Sequence, residues 1–222
     1  MRKYWFLVCA GIGLIWIAAA GPARAQILRP SDRLSPRGPT PVASPETPGK
    51  ILAIRNLEGL GKHAYVRTPD YRTNMSQGRK PAQDWVQIQL SFETYPEWID
   101  ELIVQFYALA ATTEGGKQKF SFYRKNVRYT DVERDREHLS AVYLPPRAVK
   151  RFGDLVAVAV EISYQGKVIA SRSIESIKLP QEWWKDPVVI QNENVTPRDG
   201  YLLHRSETPF ALIAIDDYEV AR

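Results

Sequence analysis

Residues 85–92 read WVQIQLSF, in which Val86, Ile88, Leu90 and Phe92 alternate with Gln87, Gln89 and Ser91 without a slip. Side chains of an extended chain point to opposite faces with a period of two, so this stretch predicts a strand with one apolar and one polar face. Moving outward, Tyr95-Pro96-Glu97 breaks the run. IDELIVQFYALAAT (99–112) then predicts a longer, more buried strand with Leu102, Val104 and Phe106 on one face. The segment 113–117, TEGGK, is a turn where glycine takes positive φ at little cost, and KFSFYRKNVRY (119–129) returns as a strand. A charged surface run, TDVERDRE (130–137), is expected to follow it.

Upstream, KILAIRN (50–56) predicts a first strand, and downstream HLSAVYLP (138–145) predicts another. PPRAVKRFGD (145–154) carries the early proline and late glycine of a single helical turn. DLVAVAVEISY (154–164) and KVIASRSIESI (167–177) flank Gln165-Gly166 as a hairpin. PVVIQ (187–191) and PFALIAI (209–215) are expected to add two more strands. About eight or nine short strands with short helical turns, and no long amphipathic helix, predict an all-β, antiparallel β-sandwich. A barrel uses the same alternation. The bend at 95–97 and the helical corner at 145–153 favour the sandwich, because such features carry a chain from one sheet to the other.

The strands begin after two segments of different character. Residues 1–25 place Arg2 and Lys3 before an apolar run, Tyr4–Ala20, and end on Ala23-Arg24-Ala25, the order of a cleaved signal peptide. The run is near the lower limit for spanning a bilayer, and only an uncleaved leader would tie the chain to a membrane. Residues 26–49 hold six prolines and no aromatic residue, and predict a Pro-rich disordered tether. Residues 50–222 suffice for one sandwich domain. The expected location is outside the cytoplasm: periplasm, outer surface or medium.

The single cysteine, Cys9, lies in the leader, so the exported chain has neither a disulfide nor a thiolate. Lys and Arg number 30 against 25 Asp and Glu, a formal +5. Without Arg2, Lys3 and Arg24 the excess falls by three to +2, which does not indicate a nucleic-acid surface. The interleaved aromatic and basic residues of 117–129 are therefore expected to be a solvated strand face.

Reactive constellations are not visible. His63, His138 and His204 are scattered, belong to no H-E-x-x-H helix and read as surface or strand-end residues, so no metal or cofactor is expected. No G-x-S-x-G or S-x-x-K motif occurs. Gly59-Leu60-Gly61-Lys62 lacks the spacing of a phosphate loop, and adjacent acids such as Asp100-Glu101 and Asp216-Asp217 fall on opposite strand faces. The expectation is a protein without catalysis; a hydrolase assembled from scattered carboxylates is the weakest reading.

What remains is surface. Trp183 and Trp184 stand together between Pro180 and Pro187, and two adjacent indoles do not easily enter one core from one strand. Whichever of them lies at the surface is a candidate partner or glycan contact, with Trp98 as a third candidate. The favoured reading packs one at the end of the sandwich and the other under the Pro-rich loop, because indoles are buried more often than not.

The leader, tether, cysteine-free sandwich and closing SETPFALIAIDDYEVAR (206–222) together resemble the pilus-like, immunoglobulin-fold secreted proteins encoded beside type IV pilus genes in Verrucomicrobia. The resemblance rests on Thr208-Pro209-Phe210 and Asp217-Tyr218-Glu219. It implies an immunoglobulin-like sandwich, no catalysis, and a role at the cell surface or in a pilus system, with host contact as a further role. The chain departs from ordinary immunoglobulin domains in having no cysteine pair and no tyrosine corner, since FGDLVAVAV (152–160) carries Leu and Val there. Protein partners of a pilus or envelope assembly are the leading expectation and a glycan the alternative; the oligomeric state is left open.

Overall fold

The computed structural model describes residues 50–69 and 81–221. The expected signal peptide and tether lie outside the described residues, and the described domain falls within the compact unit Ser44–Arg222. Among the described residues ten strands form: β1 (Leu52–Glu58), β2 (Tyr65–Arg67), β3 (Asp84–Thr94), β4 (Trp98–Glu114), β5 (Lys117–Glu133), β6 (His138–Leu144), β7 (Asp154–Tyr164), β8 (Lys167–Glu175), β9 (Val195–Pro197) and β10 (Leu203–His204). They make two sheets, ordered β1-β3-β6-β10 with β2 also on β3, and β8-β7-β4-β5-β9. Every pairing is antiparallel except β5 with β9. The expected all-β sandwich is what forms.

The alternation of β3 does what its pattern dictates: Val86, Ile88, Leu90 and Phe92 are buried between the sheets. Opposite them stand Leu102, Val104 and Phe106 of β4, Tyr123 and Tyr129 of β5, and Val158, Val160 and Ile162 of β7. At about 1.5–3 kcal/mol for each large apolar side chain removed from water, this layer stabilises the fold without a disulfide. Residues 95–97 carry the chain from the first sheet to the second, as their helix- and strand-breaking composition anticipates. The hairpins at Gly115-Gly116 and Gln165-Gly166 have positive φ at both central residues, matching the right-handed twist of the flanking strands.

The corner after β6 is a two-turn helix, α1 (Pro146–Phe152), one turn longer than expected. It stops at Gly153, whose φ is +85° and whose absent Cβ would lie 1.9 Å from the Ala111 carbonyl oxygen. Only glycine fits that contact.

Two sequence expectations are corrected, and two features go beyond the sequence reading. Residues 187–190 are a helix, α2 (Pro187–Ile190), and no strand, because the Asp186 carboxylate accepts from the Val188 N–H and Pro187 occupies the first helical position. Residues 209–215 are turns ending in a 3₁₀ helix, Ile215–Asp217, since only Phe210 of that apolar run finds a pocket. The charged run 130–137 is strand up to Glu133, because Ile99 and Trp98 of β4 continue the ladder opposite Val132 and Glu133. The short strands β2, β9 and β10 were not legible as strands at all.

The sandwich carries a cover on each outer face. On the second sheet, segment 176–198 buries a satellite cluster, Trp183 and Trp184 against Leu109, Phe122, Ala157 and Ala159. On the first, segment 205–221 lays Phe210 against Tyr143 and Trp85. Gln87 and Gln89, on the polar face of β3, meet the Tyr218 hydroxyl there at 3.2 and 3.0 Å.

Candidate functional site

The tryptophan pair is interior. Trp183 has no solvent exposure and Trp184 is 5% exposed, so both are packed, and the candidate role of either as a partner or glycan contact is corrected. The cause lies in β7, where Ala157 and Ala159 point outward and leave room for two indoles set edge to face, 5.9 Å apart at 86°. Phe122 closes on Trp183 at 6.2 Å and Tyr107 stacks on Trp184 at 6.4 Å. Neither indole N–H finds a hydrogen-bond partner among the described residues. Beside the indoles the buried Glu161 carboxylate pairs with Lys185, whose pKa that bond raises. Tyr107 donates toward Glu161 at 3.4 Å, and burial first, then the nearby carboxylate, push its hydroxyl up to about 12. The sequence did hold a signal for this cover: in AVAVEI (157–162) apolar residues occupy both faces, which marks a strand shielded on both sides.

Trp98, the first residue of β4, is 56% exposed, so of the three candidates it alone offers a ring face. Close in sequence, Asp100, Glu101 and Ile103 line a shallow groove of about 280 Å³ with Ser163, Tyr164, Gln165 and Gly166 of the β7–β8 hairpin.

The sheet edges differ in length. β9 has three residues and β10 two, whereas β8 ends its sheet with nine, all exposed or half-buried. Lys167, Arg172 and Glu175 place charge on this strand, and its register with β7 shifts at Ile162/Ser163. Both devices limit indiscriminate edge pairing without closing the edge. On the same flank β1 carries a bulge at Ile54/Asn56, where the Arg55 carbonyl accepts from the Arg172 guanidinium at 2.8 Å.

One hydroxyl–imidazole–carboxylate line exists. Thr94 Oγ1 lies 2.8 Å from His138 Nε2, and His138 Nδ1 meets Glu219. The Thr94 hydroxyl, however, donates its one proton to the Glu133 carbonyl at 2.9 Å and accepts from the Asp135 N–H at 3.1 Å. Its proton is committed, Thr94 as a whole is 2% exposed, and the imidazole is stacked on Phe92 at 5.0 Å. A nucleophile needs a free hydroxyl facing a substrate. The line is a clasp: Glu219 also donates its N–H to the Leu139 carbonyl at 2.9 Å, and Ala221 bridges to Tyr129, fastening the tail to β6 and β5. His204 serves the same tail, its ring accepting from the Ser206 N–H at the start of the 3₁₀ turn Arg205–Glu207. Burial pushes that imidazole down to about 4, so it is neutral at physiological pH. Of the three histidines, His63 is exposed while His138 and His204 are buried at strand ends.

A protein-family model matches residues 61–222. A crystal structure of a protein from Akkermansia muciniphila is similar to the chain with a TM-score of 0.64 and 23% identity, covering 78% of this chain and 93% of that one. At that identity the likeness is one of fold. No curated protein matches the chain significantly.

Proposed function

The chain belongs to the family whose model spans its residues 61–222, and from the surfaces that fold presents we propose an exported, non-enzymatic β-sandwich protein that works by protein contacts in a cell-surface or type IV pilus-related assembly. The observation that carries this reading is the β8 edge, nine residues long, at the end of its sheet. A strand with one unoccupied side accepts a partner strand by main-chain hydrogen bonds. The strand order supports the immunoglobulin-like form of the sandwich: β1, β3 and β6 in one sheet and β8, β7, β4 and β5 in the other divide the chain as such domains do.

The test places two lysines on the edge, Val168→Lys with Ser171→Lys, both at exposed positions. Envelope pull-down with the unaltered chain recovers pilus or surface-assembly proteins, and the lysine variant loses them. Recovery of no such protein, or equal recovery by both chains, overturns the reading.

A second reading is favoured by the exposed Trp98 ring, two residues before Asp100 on β4, and by the acidic and amide groups of the Asp100–Gln165 groove, residue types suited to a sugar. Glycan-array binding abolished by Trp98→Ala replaces the first reading with this one.

A further inference from the structure

We propose that copies of this chain bind one another, the acidic aliphatic loop 211–217 of one seated in an arginine-lined cleft of the next. The proposal rests on the reading of the chain as a protein that works by contacts, and it names a second copy as a partner on a surface other than β8.

The cleft, of about 400 Å³, lies between α1 and residues 199–203, with Arg147, Arg151, Phe152, Tyr201 and Leu203 among its walls. Arg147 and Arg151 are four apart on α1 and so share a helix face, where like charges destabilise each other. Among the described residues no carboxylate pairs with either; Glu114, which feels Arg151, is bonded to Lys119. On the Phe152 ring two guanidiniums converge, Arg198 at 4.3 Å and Arg151 at 5.2 Å. Arg198 Nε is buried without a hydrogen-bond partner, and the wall's one acid, Asp199, is held by Arg124 at 3.1 Å. Tyr201 meets Phe152 edge-on at 5.4 Å. Positive forks over an aromatic floor, with no internal acid to satisfy them, suit a carboxylate attached to an apolar body.

The chain displays such a body. In loop 211–217 Leu212 is 76% exposed, Ile213 44% and Ile215 48%, and Asp216 and Asp217 beside them are exposed. Among the described residues no cation pairs with either aspartate. The loop is shaped by its own backbone bonds, Ile213 N–H to the Phe210 carbonyl and Asp217 N–H to the Ala214 carbonyl, both 3.1 Å, with Ala214 left-handed at φ 47°. Three aliphatics held in water next to two unpaired acids have no role within the fold. Seated in the cleft, the aliphatics cover Phe152 and Tyr201, and the aspartates meet Arg147 and Arg151. Arginine at the centre of such a patch carries much of an interface's energy, and the charge match steers the encounter.

Sedimentation velocity on the exported chain, over a concentration series at low salt, tests this. The unaltered chain self-associates. Arg147→Glu with Arg151→Glu, and separately Asp216→Arg with Asp217→Arg, each weaken self-association by about tenfold or more. Mixing these two variants restores association between them, because the unaltered loop of the cleft variant meets the unaltered cleft of the loop variant and the reversed cleft meets the reversed loop; global misfolding of either does not produce that rescue. Val168→Lys with Ser171→Lys leaves self-association unchanged, which separates this contact from the β8 edge. An unaltered chain that stays monomeric throughout the series, reversed variants that associate as strongly as it does, or a mixture without a complex overturns the proposal.

Discussion

His204 shows how one side chain ties local geometry to pH. Its ring nitrogen must be unprotonated to accept the Ser206 N–H, and burial holds its folded pKa near 4 against 6.5 in an unfolded chain. Between those values the unfolded chain binds more protons, so stability is complete above about pH 6.5 and falls as pH drops toward 4. Asparagine keeps an acceptor at the cap and does not titrate. In urea melts at pH 7.5 and 4.5, His204→Asn is expected to lose less stability on acidification than the unaltered chain, by an amount on the order of 2 kcal/mol. Equal losses remove His204 from the account. His138, the other buried imidazole, shows the limit of reading residues singly: its partners Thr94 and Glu219 lie 44 and 81 positions away, so neither a catalytic nor a clasping role was visible in a lone histidine.

At the scale of elements, β3, β4, β6 and the β7–β8 hairpin were legible because their information is local: alternation fixes the buried face and the turn residues fix the ends. The covers were not. The neighbours of Trp183 and Trp184 in sequence do not decide whether either is exposed, because their environment is made by Leu109, Phe122, Ala157 and Ala159 from three strands. Residues 187–191 are β-branched enough to suggest a strand, and Asp186 and Pro187 override that preference by capping a helix turn. The same contrast yields a measurable difference. Trp183→Ala is expected to cost about 3–5 kcal/mol in denaturant unfolding, as large core deletions do, whereas Trp98→Ala at the exposed position costs under about 0.5 kcal/mol. Comparable losses at both sites contradict the assignment of one indole to the interior and the other to the surface.

For the whole molecule, the sandwich and its covers form layers: two sheets face one core, and two irregular segments shield the backs of those sheets. The tail cover holds its place through Phe210 on Tyr143, Arg205 4.3 Å from the Tyr218 ring, and the His138–Glu219 clasp. Truncation after Glu207 is expected to keep the far-UV strand signal, lower stability by about 3–5 kcal/mol or more, and raise binding of a hydrophobic dye as Tyr143 and Trp85 are bared. An unchanged melting temperature contradicts the tail's role as a cover. That role also sets an order on folding. Every strand among the described residues precedes residues 208–221 in the chain, so a ribosome adding about 5–20 residues per second delivers these strands before their last shield exists. The nascent chain passes through an interval in which its sheets can pair while one back stays sticky, the state in which a chaperone that binds bare aromatic surface would find it.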